Sequence, residues 1–466
     1  MDTLKTKLEK YNQAHVLKYW EQFNNTARQR LMDQLQNIDF NLLQHLAELL
    51  QDTHESKPLE MFPAQIISLP KTPDEKKAAE QARQLGENTI RSGKVCAFLV
   101  AGGQGTRLGY DGPKGCFPIG PVSNKSIFQM HAEKILAAGQ RYNAIIPWYI
   151  MTSESNHQAT QTFFEENTYF GLNAKDVMFF KQNMLPALDT HGKLILDAKD
   201  HIFTSPNGHG GSLQALVESG AIEDMKQRGI EVISYFQVDN VLIQIVDPVF
   251  IGFHVQAGAE MSSKMLRKRD PYEKLGHFGL VDGKLRIIEY SDMSDQDLLA
   301  RNADGRLKYE AGSPAIHMIH PEFVLKEMEG GLKLPYHIAN KKIPFINEAG
   351  EVVIPENPNG YKFETFIFDA LQDTTCSIIL EARREHEFSP VKNKTGEDSP
   401  ETAKQELSYY FAEWLEAAGV EIPKNESGDV RGMVEIGPLF ADSKEELANQ
   451  ISSDIYFDGS FYLDKE

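Results

Sequence analysis

Glycines followed closely by cations suit phosphate, and residues 94 to 118 carry that combination. Val95 to Ala101 is a short apolar run without helical spacing, which reads as a buried strand of a parallel sheet. It breaks into Gly102, Gly103 and Gly105, with Arg107 and Lys114 just behind. Glycines let backbone N–H groups approach an anion, and both cations can neutralise one. The loop fits neither common phosphate motif. Lys114 is followed by Gly115 rather than Ser or Thr, and Leu108 stands where a dinucleotide fingerprint needs its third glycine. Other residues add chemistry. Asp239 closes the strand-like run Val232 to Val238 and can hold Mg²⁺, a hard ion that prefers oxygen ligands and substrate phosphates. Gln182 follows the Phe179–Phe180 strand, and its carboxamide can both donate and accept hydrogen bonds. Glu289, at the end of a hairpin, can accept hydrogen bonds from hydroxyl groups.

The string Ala101-Gly-Gly-Gln-Gly-Thr-Arg-Leu-Gly109, followed by Pro113-Lys-Gly115, resembles the signature loop of the uridylyltransferases that make UDP-sugars. Among these it is most similar to the UDP-N-acetylhexosamine pyrophosphorylases, with motifs in the family's order over roughly residues 94 to 395. The resemblance implies that Val100, Ala101, Gly102, Gly103 and Lys114 wrap the UTP phosphates, joined by Lys362. It implies uracil contacts at Gln182 and at Gly208, in the second glycine loop Ser205 to Ser212. Glu289, Tyr290, Phe366 and Phe368 then face the sugar, and Lys392 grips its phosphate. Arg107, Lys114 and Lys392 are the implied catalytic cations, and Asp239 the implied magnesium ligand.

Two sugar-pocket positions depart from the acetylhexosamine pattern. His209 stands where that branch usually has Asn, and Ser313 replaces the Asn of an Ala-Gly-Asn segment. N-acetylglucosamine 1-phosphate (or its N-acetylgalactosamine counterpart) is the expected partner of UTP, because Glu289-Tyr290 and the Phe-Ile-Phe stretch match that branch. A UDP-glucose or broad-specificity UDP-sugar pyrophosphorylase is the alternative, motivated by His209 and Ser313. A non-catalytic UDP-sugar sensor is a third reading. A Rossmann dehydrogenase fails at Leu108.

Strands alternating with helices from 95 to 240 call for an α/β fold with a mostly parallel mixed sheet. The resemblance implies a glycosyltransferase-A-like, Rossmann-like nucleotidyltransferase core. Such sheets bind ligands beyond the carboxyl ends of their strands, where the glycine loop falls. The expected domains are a helical N-terminal domain over 1–93, a catalytic domain over 94–393 and a small β-rich C-terminal domain over 394–466. Thr72-Pro73-Asp74-Glu75 is a helix start of the capping-box kind, and the helix should run to about Ser92. Ser126-Ile-Phe-Gln129 repeats the signal. Glu55 to Pro70 reads as a polar link, Leu213 to Gln227 as one helix, and Pro358 to Asp369 as the start of another. Asp282-Gly283 marks a hairpin turn.

Composition bounds the rest. A net charge of −19 argues against a nucleic-acid partner, and the basic run Lys264 to Arg269 reads as an exposed strand end. No apolar run reaches the length of a membrane span, and the first ten residues lack a signal peptide's apolar core. Three scattered cysteines make neither a disulfide framework nor a zinc pattern. A cytoplasmic enzyme with no membrane partner is expected.

Overall fold

The computed structural model describes residues 2–51, 60–426, 428, 430–451, 455 and 459–465. Contacts divide the chain into two compact units that the chain enters more than once. One comprises Met1–Leu59, Gln182–Gln214 and Lys333–Asp369, and the other Glu60–Lys181, Ala215–Leu332 and Ala370–Glu466. This division follows other lines than the expected boundaries at 93/94 and 393/394.

The larger unit is built on one sheet. Its strands are β1 (Met61–Pro63), β2 (Val95–Val100), β3 (Trp148–Thr152), β4 (Val177–Lys181), β5 (Val232–Gln237), β6 (Met261–Arg267), β7 (His277–Val281), β8 (Lys284–Ile288), β9 (Ala311–Gly312), β10 (His317–Ile319) and β11 (Ile379–Glu381). They run in the order β1-β7-β9-β6-β10-β5-β2-β3-β4, with β8 on β7 and β11 on β6. The stretch β5-β2-β3-β4 is parallel, as expected, and Val95 to Leu99 are buried. The sheet as a whole is not mostly parallel. Beyond β5 only β6–β11 is parallel, and the other pairings are antiparallel. The physical reason lies in the connections. A parallel neighbour needs a crossover of a dozen residues or more, whereas β7 and β8 are joined by Asp282 (φ 52°) and Gly283 (φ 75°) alone. That is the two-residue turn marked by Asp-Gly, with both residues left-handed.

Helices enter this unit where the caps indicated. Thr72 and Glu75 form a reciprocal capping box at the start of Pro73–Arg91, a device worth about 1 kcal/mol. Ser126 accepts from the Gln129 N–H at the head of Ile127–Tyr142. The expected helix over Leu213–Gln227 is two, Gly211–Glu218 and Ala221–Gln227, broken at Gly220 (φ 80°). The basic run 264–269 belongs mainly to β6 rather than to an exposed end. Lys264 and Lys268 are buried, Lys264 against Asp247 and Glu387 and Lys268 2.7 Å from His277, while Arg267 pairs with Glu310 and Glu381. Of the polar link Glu55–Pro70, residues 55–59 lie outside the described residues, and Met61–Pro63 is the edge strand β1.

The described residues after 394 are more helical than β-rich. Helices span Pro400–Ala417 and Lys444–Gln450, against two three-residue strands, Val434–Ile436 and Phe461–Leu463. Leu407, Trp414, Val434 and Leu447 join the same apolar core as β2 and β3. Residues 427, 429, 452–454, 456–458 and 466 of the expected C-terminal domain lie outside the described residues, as do Met1 and residues 52–59 of the N-terminal one.

The smaller unit has its own core. Leu8, Val16, Leu31, Leu35, Phe40, Leu43 and Leu46 from the N-terminal helices pack with Leu185, Leu188, Leu194, Leu196, Ile202 and Phe363. The expected helix after Pro358 is instead a strand, Gly360–Glu364, followed by a 3₁₀ helix, Ile367–Asp373. The strand wins because His337–Lys341 pairs along its whole length. The Asn359 side chain also donates to the Ile343 carbonyl and accepts from its N–H. Among the described residues no helix is long and apolar enough to cross a membrane.

Candidate active site

The glycine loop leaves β2 between two parallel neighbours, so its position is fixed from both sides. The Ala101 N–H donates to the Met151 carbonyl at 2.7 Å, and the Val238 N–H to the Val100 carbonyl at 3.1 Å. Half-buried Gly102 and exposed Gly103 follow. The loop then folds onto itself through Gly105 N–H to the Gly112 carbonyl (2.8 Å) and Lys114 N–H to the Gly103 carbonyl (3.1 Å). Gly109 (φ 75°) and Gly112 (φ 140°) take conformations that a side chain would resist. Asn156, buried at the start of the helix after β3, donates to the carbonyls of Ala101 (2.8 Å) and Gly103 (3.2 Å). Tying carbonyls back in this way suits a loop meant to offer N–H groups to an anion. Sequence reasoning missed Asn156. Its signal was a polar residue just after the strand adjoining the glycine loop.

Lys114 and Asp239 meet at the carboxyl ends of β2 and β5. Their Nζ–Oδ2 distance is 3.7 Å, and each side chain is about 15% exposed. Such a half-desolvated pair adds little net stability, because desolvation offsets most of the attraction. It does present one cation and one carboxylate side by side. Arg107 is exposed on the 3₁₀ turn Thr106–Leu108. The segment carrying Lys392 is stitched to Asp239, since the Val391 N–H donates to the Asp239 carbonyl at 2.9 Å. The Lys392 ammonium itself lies 3.8 Å from Asp398. Lys394, also missed, approaches the glycine loop: a Cβ placed on Gly109 would stand 3.4 Å from its Nζ.

Two of the sugar residues of this unit share a neighbour. The Ser313 N–H donates to the Gly276 carbonyl at 2.9 Å, and a Cβ on Gly276 would stand 3.5 Å from Glu289 Oε1. Glu289 and Tyr290 are both half-buried where β8 passes into a 3₁₀ turn.

In the smaller unit, buried Gln182 precedes Asn183, whose carbonyl accepts from the Asn207 N–H at 3.1 Å. The second glycine loop is pressed against Thr365. The Thr365 N–H donates to the Asn207 carbonyl at 2.7 Å, and the Gly210 N–H to the Thr365 carbonyl at 2.8 Å. Gly208 (φ 79°) has no room for a side chain, since a Cβ would stand 2.4 Å from the Thr365 oxygen. His209 stacks on Phe366, with ring centres 5.2 Å apart and planes 20° apart, and lies 5.4 Å from Phe368. Its Nδ1 accepts from the Ile367 N–H at 3.2 Å, which leaves the ring proton on Nε2. Burial, aided by the charge of His337, pushes its pKa down to about 4. The ring is therefore neutral at pH 7 and serves as a flat wall with one donor. His337, which the sequence reading passed over, lies 4.2 Å from Phe366 and bonds Asp369 at 2.7 Å. Lys362 places its ammonium 4.8 Å from the centre of the Phe203 ring.

Each unit thus gathers its own set of expected residues. Val100 to Gly103, Lys114 and Asp239 converge in the larger, and His209, Phe366 and Phe368 in the smaller.

Comparison with known proteins adds a lineage. The family model described as UTP–glucose-1-phosphate uridylyltransferase matches residues 41–398. The UDP-N-acetylglucosamine pyrophosphorylase of Saccharomyces cerevisiae is 38% identical over 87% of this chain and 89% of its own. The UDP-N-acetylhexosamine pyrophosphorylase-like protein 1 of Homo sapiens is 36% identical over 95% of this chain and 93% of its own. Among solved structures, the uridine diphosphate N-acetylglucosamine pyrophosphorylase of Trypanosoma brucei, in complex with inhibitor, superposes with a TM-score of 0.84. It is 27% identical, over 100% of this chain and 98% of that one. A UDP-glucose pyrophosphorylase from Leishmania major superposes at 0.64 with 16% identity, over 89% of this chain and 85% of that one, which is a likeness of fold alone.

Proposed function

The chain belongs to the UTP–glucose-1-phosphate uridylyltransferase family, and from that premise we propose that it joins UTP to N-acetylglucosamine 1-phosphate. The N-acetylgalactosamine epimer is the second substrate of the same kind. The products are the UDP-sugar and pyrophosphate. The observation that carries this reading is Lys114 and Asp239 side by side, 3.7 Å apart, beyond a glycine loop at the carboxyl ends of two parallel strands. That is a cation and a carboxylate set where phosphates would lie.

In the reaction, a phosphate oxygen of the sugar 1-phosphate attacks the α-phosphorus of UTP in line. The bond from that phosphorus to the β-phosphate bridging oxygen breaks, and pyrophosphate leaves with the electron pair. The nucleophile is already ionised, so no general base is required, and positioning with charge stabilisation supplies the rate. Neutral His209 accords with this. Gly102 and Gly103 offer N–H groups to the phosphates with Lys114 and Arg107, and Lys362 adds to the UTP charge balance. Lys392 positions the attacking phosphate. Gln182 and Gly208 take the uracil, and His209, Glu289, Tyr290, Ser313, Phe366 and Phe368 take the sugar.

Asp239 fits a magnesium ion. Mg²⁺ commonly uses one or two carboxylates beside substrate phosphates rather than an all-protein cage. Among the described residues no three His, Cys, Asp or Glu side chains cluster to form such a cage. When bound, the ion neutralises charge on the triphosphate. Relatives named UDP-N-acetylglucosamine pyrophosphorylase and UDP-N-acetylhexosamine pyrophosphorylase-like protein 1, at 38% and 36% identity, favour the acetylated sugar over glucose. The chain's net charge of −19 supports an enzyme that does not act on nucleic acid, and the scattered cysteines accord with a cytoplasmic one.

The test is pyrophosphate release from UTP and Mg²⁺ with N-acetylglucosamine, N-acetylgalactosamine, glucose and galactose 1-phosphates. Preference for the acetylated pair is the expected result. Preference for glucose would transfer the assignment to His209 and Ser313 as remodelled specificity residues, and silence with all four would leave a UDP-sugar binding protein.

A further inference from the structure

A buried ammonium lies behind the segments that carry Asp239 and Lys392. Lys264, on β6, is 1% exposed. It pairs with Asp247 at 2.7 Å and with Glu387 through a very short contact. Both carboxylates are themselves buried. Asp247 ends the segment that leads away from Asp239, and its other oxygen caps the helix Pro248–Ala257 through the Val249 and Phe250 N–H groups. Glu387 begins the segment that leads to Lys392. One lysine therefore holds the far end of one segment and the near end of the other.

Between those ends the two segments run side by side and are bonded throughout. Asn240 donates from Nδ2 to the Glu387 carbonyl at 2.7 Å and accepts from the Ser389 N–H at 3.0 Å. The Val241 N–H donates to the Ser389 carbonyl at 3.2 Å, and the Val391 N–H to the Asp239 carbonyl at 2.9 Å. The Gln244 N–H reaches the second Glu387 oxygen at 3.3 Å. From the other side half-buried Lys134 donates to the Val241 and Ile243 carbonyls at 2.6 and 3.0 Å. Buried charges are a poor means of adding stability, since packed apolar residues usually do as well or better. Retaining Lys264, Asp247 and Glu387 here calls for another reason.

We propose that Lys264, acting through Glu387 and Asp247, is a positioning residue that sets the spacing between Asp239 and Lys392. It touches neither substrate. The inference rests on the roles given above to Asp239 and Lys392. It goes beyond them by assigning the register of the two segments to one buried charge cluster. A misplacement near 1 Å at a reacting centre can cost about 10²-fold in rate, so the effect should be kinetic even where the fold survives.

Glu387→Gln is the informative variant, because Lys264 and Asp247 remain a neutral pair and no charge is left unpartnered. A second variant removes all the charge together: Lys264→Met with Asp247→Asn and Glu387→Gln. Lys264→Arg is the conservative rescue, and Lys392→Ala the control for the reading beneath. Each protein is assayed for kcat, the KM of N-acetylglucosamine 1-phosphate, the Mg²⁺ concentration giving half-maximal rate, melting temperature and affinity for uridine. Uridine has no phosphate for either group to hold.

The expected result for Glu387→Gln is a fall in kcat of about tenfold or more. The KM of the sugar phosphate and the Mg²⁺ requirement rise together, while uridine affinity and melting temperature hold. The triple variant behaves alike, and Lys264→Arg recovers part of the rate. Kinetics and Mg²⁺ requirement within twofold of the parent in folded Glu387→Gln and in the triple variant would overturn the inference. So would losses of rate and uridine affinity in equal proportion. If Lys392→Ala is itself fully active, the assignment of Lys392 fails and the inference with it. An inactive Lys392→Ala beside an unimpaired Glu387→Gln overturns the inference alone.

Discussion

The two glycine loops are built for different jobs. The loop after β2 is tied back by Asn156 and flanked by Lys114 and Asp239, so its chemistry is charge and backbone N–H groups. The loop 205–212 is clamped against Thr365 and leads into stacked rings, with a histidine kept neutral by burial. The first can stabilise charge that develops during transfer, and the second can recognise flat or apolar surfaces. Interactions that strengthen in the transition state raise kcat, whereas those equal in ground and transition states lower KM. The contrast therefore predicts which kinetic constant each loop governs.

The largest effect should come from Lys114→Ala. Loss of a preorganised charge partner lowers turnover by about 10²–10³-fold, with uridine affinity unchanged. Arg107→Ala should follow it in the same assay of pyrophosphate release. A drop below threefold in both would erase the contrast. Next is Gly208→Ala. A side chain in left-handed backbone costs roughly 1–2 kcal/mol, before the contact with the Thr365 oxygen is relieved. The KM of UTP should rise at least about tenfold and the melting temperature should fall, read by kinetics and calorimetry. Phe366→Ala should be milder. Ring stacking is worth about 0.5–1.5 kcal/mol beyond area, so the KM of the sugar phosphate should rise roughly twofold to tenfold while kcat stays near that of the parent. A kcat loss equal to that of Lys114→Ala would give both loops the same task.

The smallest effect concerns pH. The folded pKa of His209 is about 4, below the 6.5 of a free histidine. Between those values the unfolded chain binds the proton that the folded protein refuses. Stability therefore falls as pH drops from about 6.5 toward 4 and has no contribution from this group above that window. His209→Asn should flatten part of the acid limb in thermal melts at pH 4.5, 5.5 and 7.5. The kcat of the parent should show no inflection near pH 6.5.

Much of this was legible in residue order, and for local reasons. Thr72, Ser126 and Asp282–Gly283 announce structure within a few residues of themselves. The Thr72 box and the Asp-Gly turn formed as expected, while Ser126 caps its helix without the reciprocal bond, because the Gln129 side chain donates to Glu133 instead. Lys114 was legible as a cation close behind the glycine loop that leaves β2, and Asp239 as a carboxylate just past β5, and parallel neighbours bring such strand ends together. The unread parts depend on distant partners. The strand Gly360–Glu364, read from the sequence as the start of a helix, forms because His337–Lys341 pairs with it. The run Lys264 to Arg269 looked solvated, because the carboxylates that neutralise Lys264 and Arg267 lie between 17 and 123 residues before or after them. Asn156 carried no motif at all.

The smaller unit is drawn from three separated stretches, the last ending at Asp369. That bears on how the protein is made on a ribosome. The N-terminal helices emerge first, yet Phe363, part of the core they share, is among the last of its residues to be synthesised. At 5–20 residues per second, the interval from residue 59 to residue 369 lasts roughly 15–60 s. Through that interval Leu31, Leu35, Phe40, Leu43 and Leu46 lack the full set of apolar neighbours they have in the finished fold. Nascent chains stalled before residue 360 should therefore depend on chaperones more than chains stalled after 369, and deleting residues 1–50 should harm the yield of folded protein rather than trim a dispensable tail.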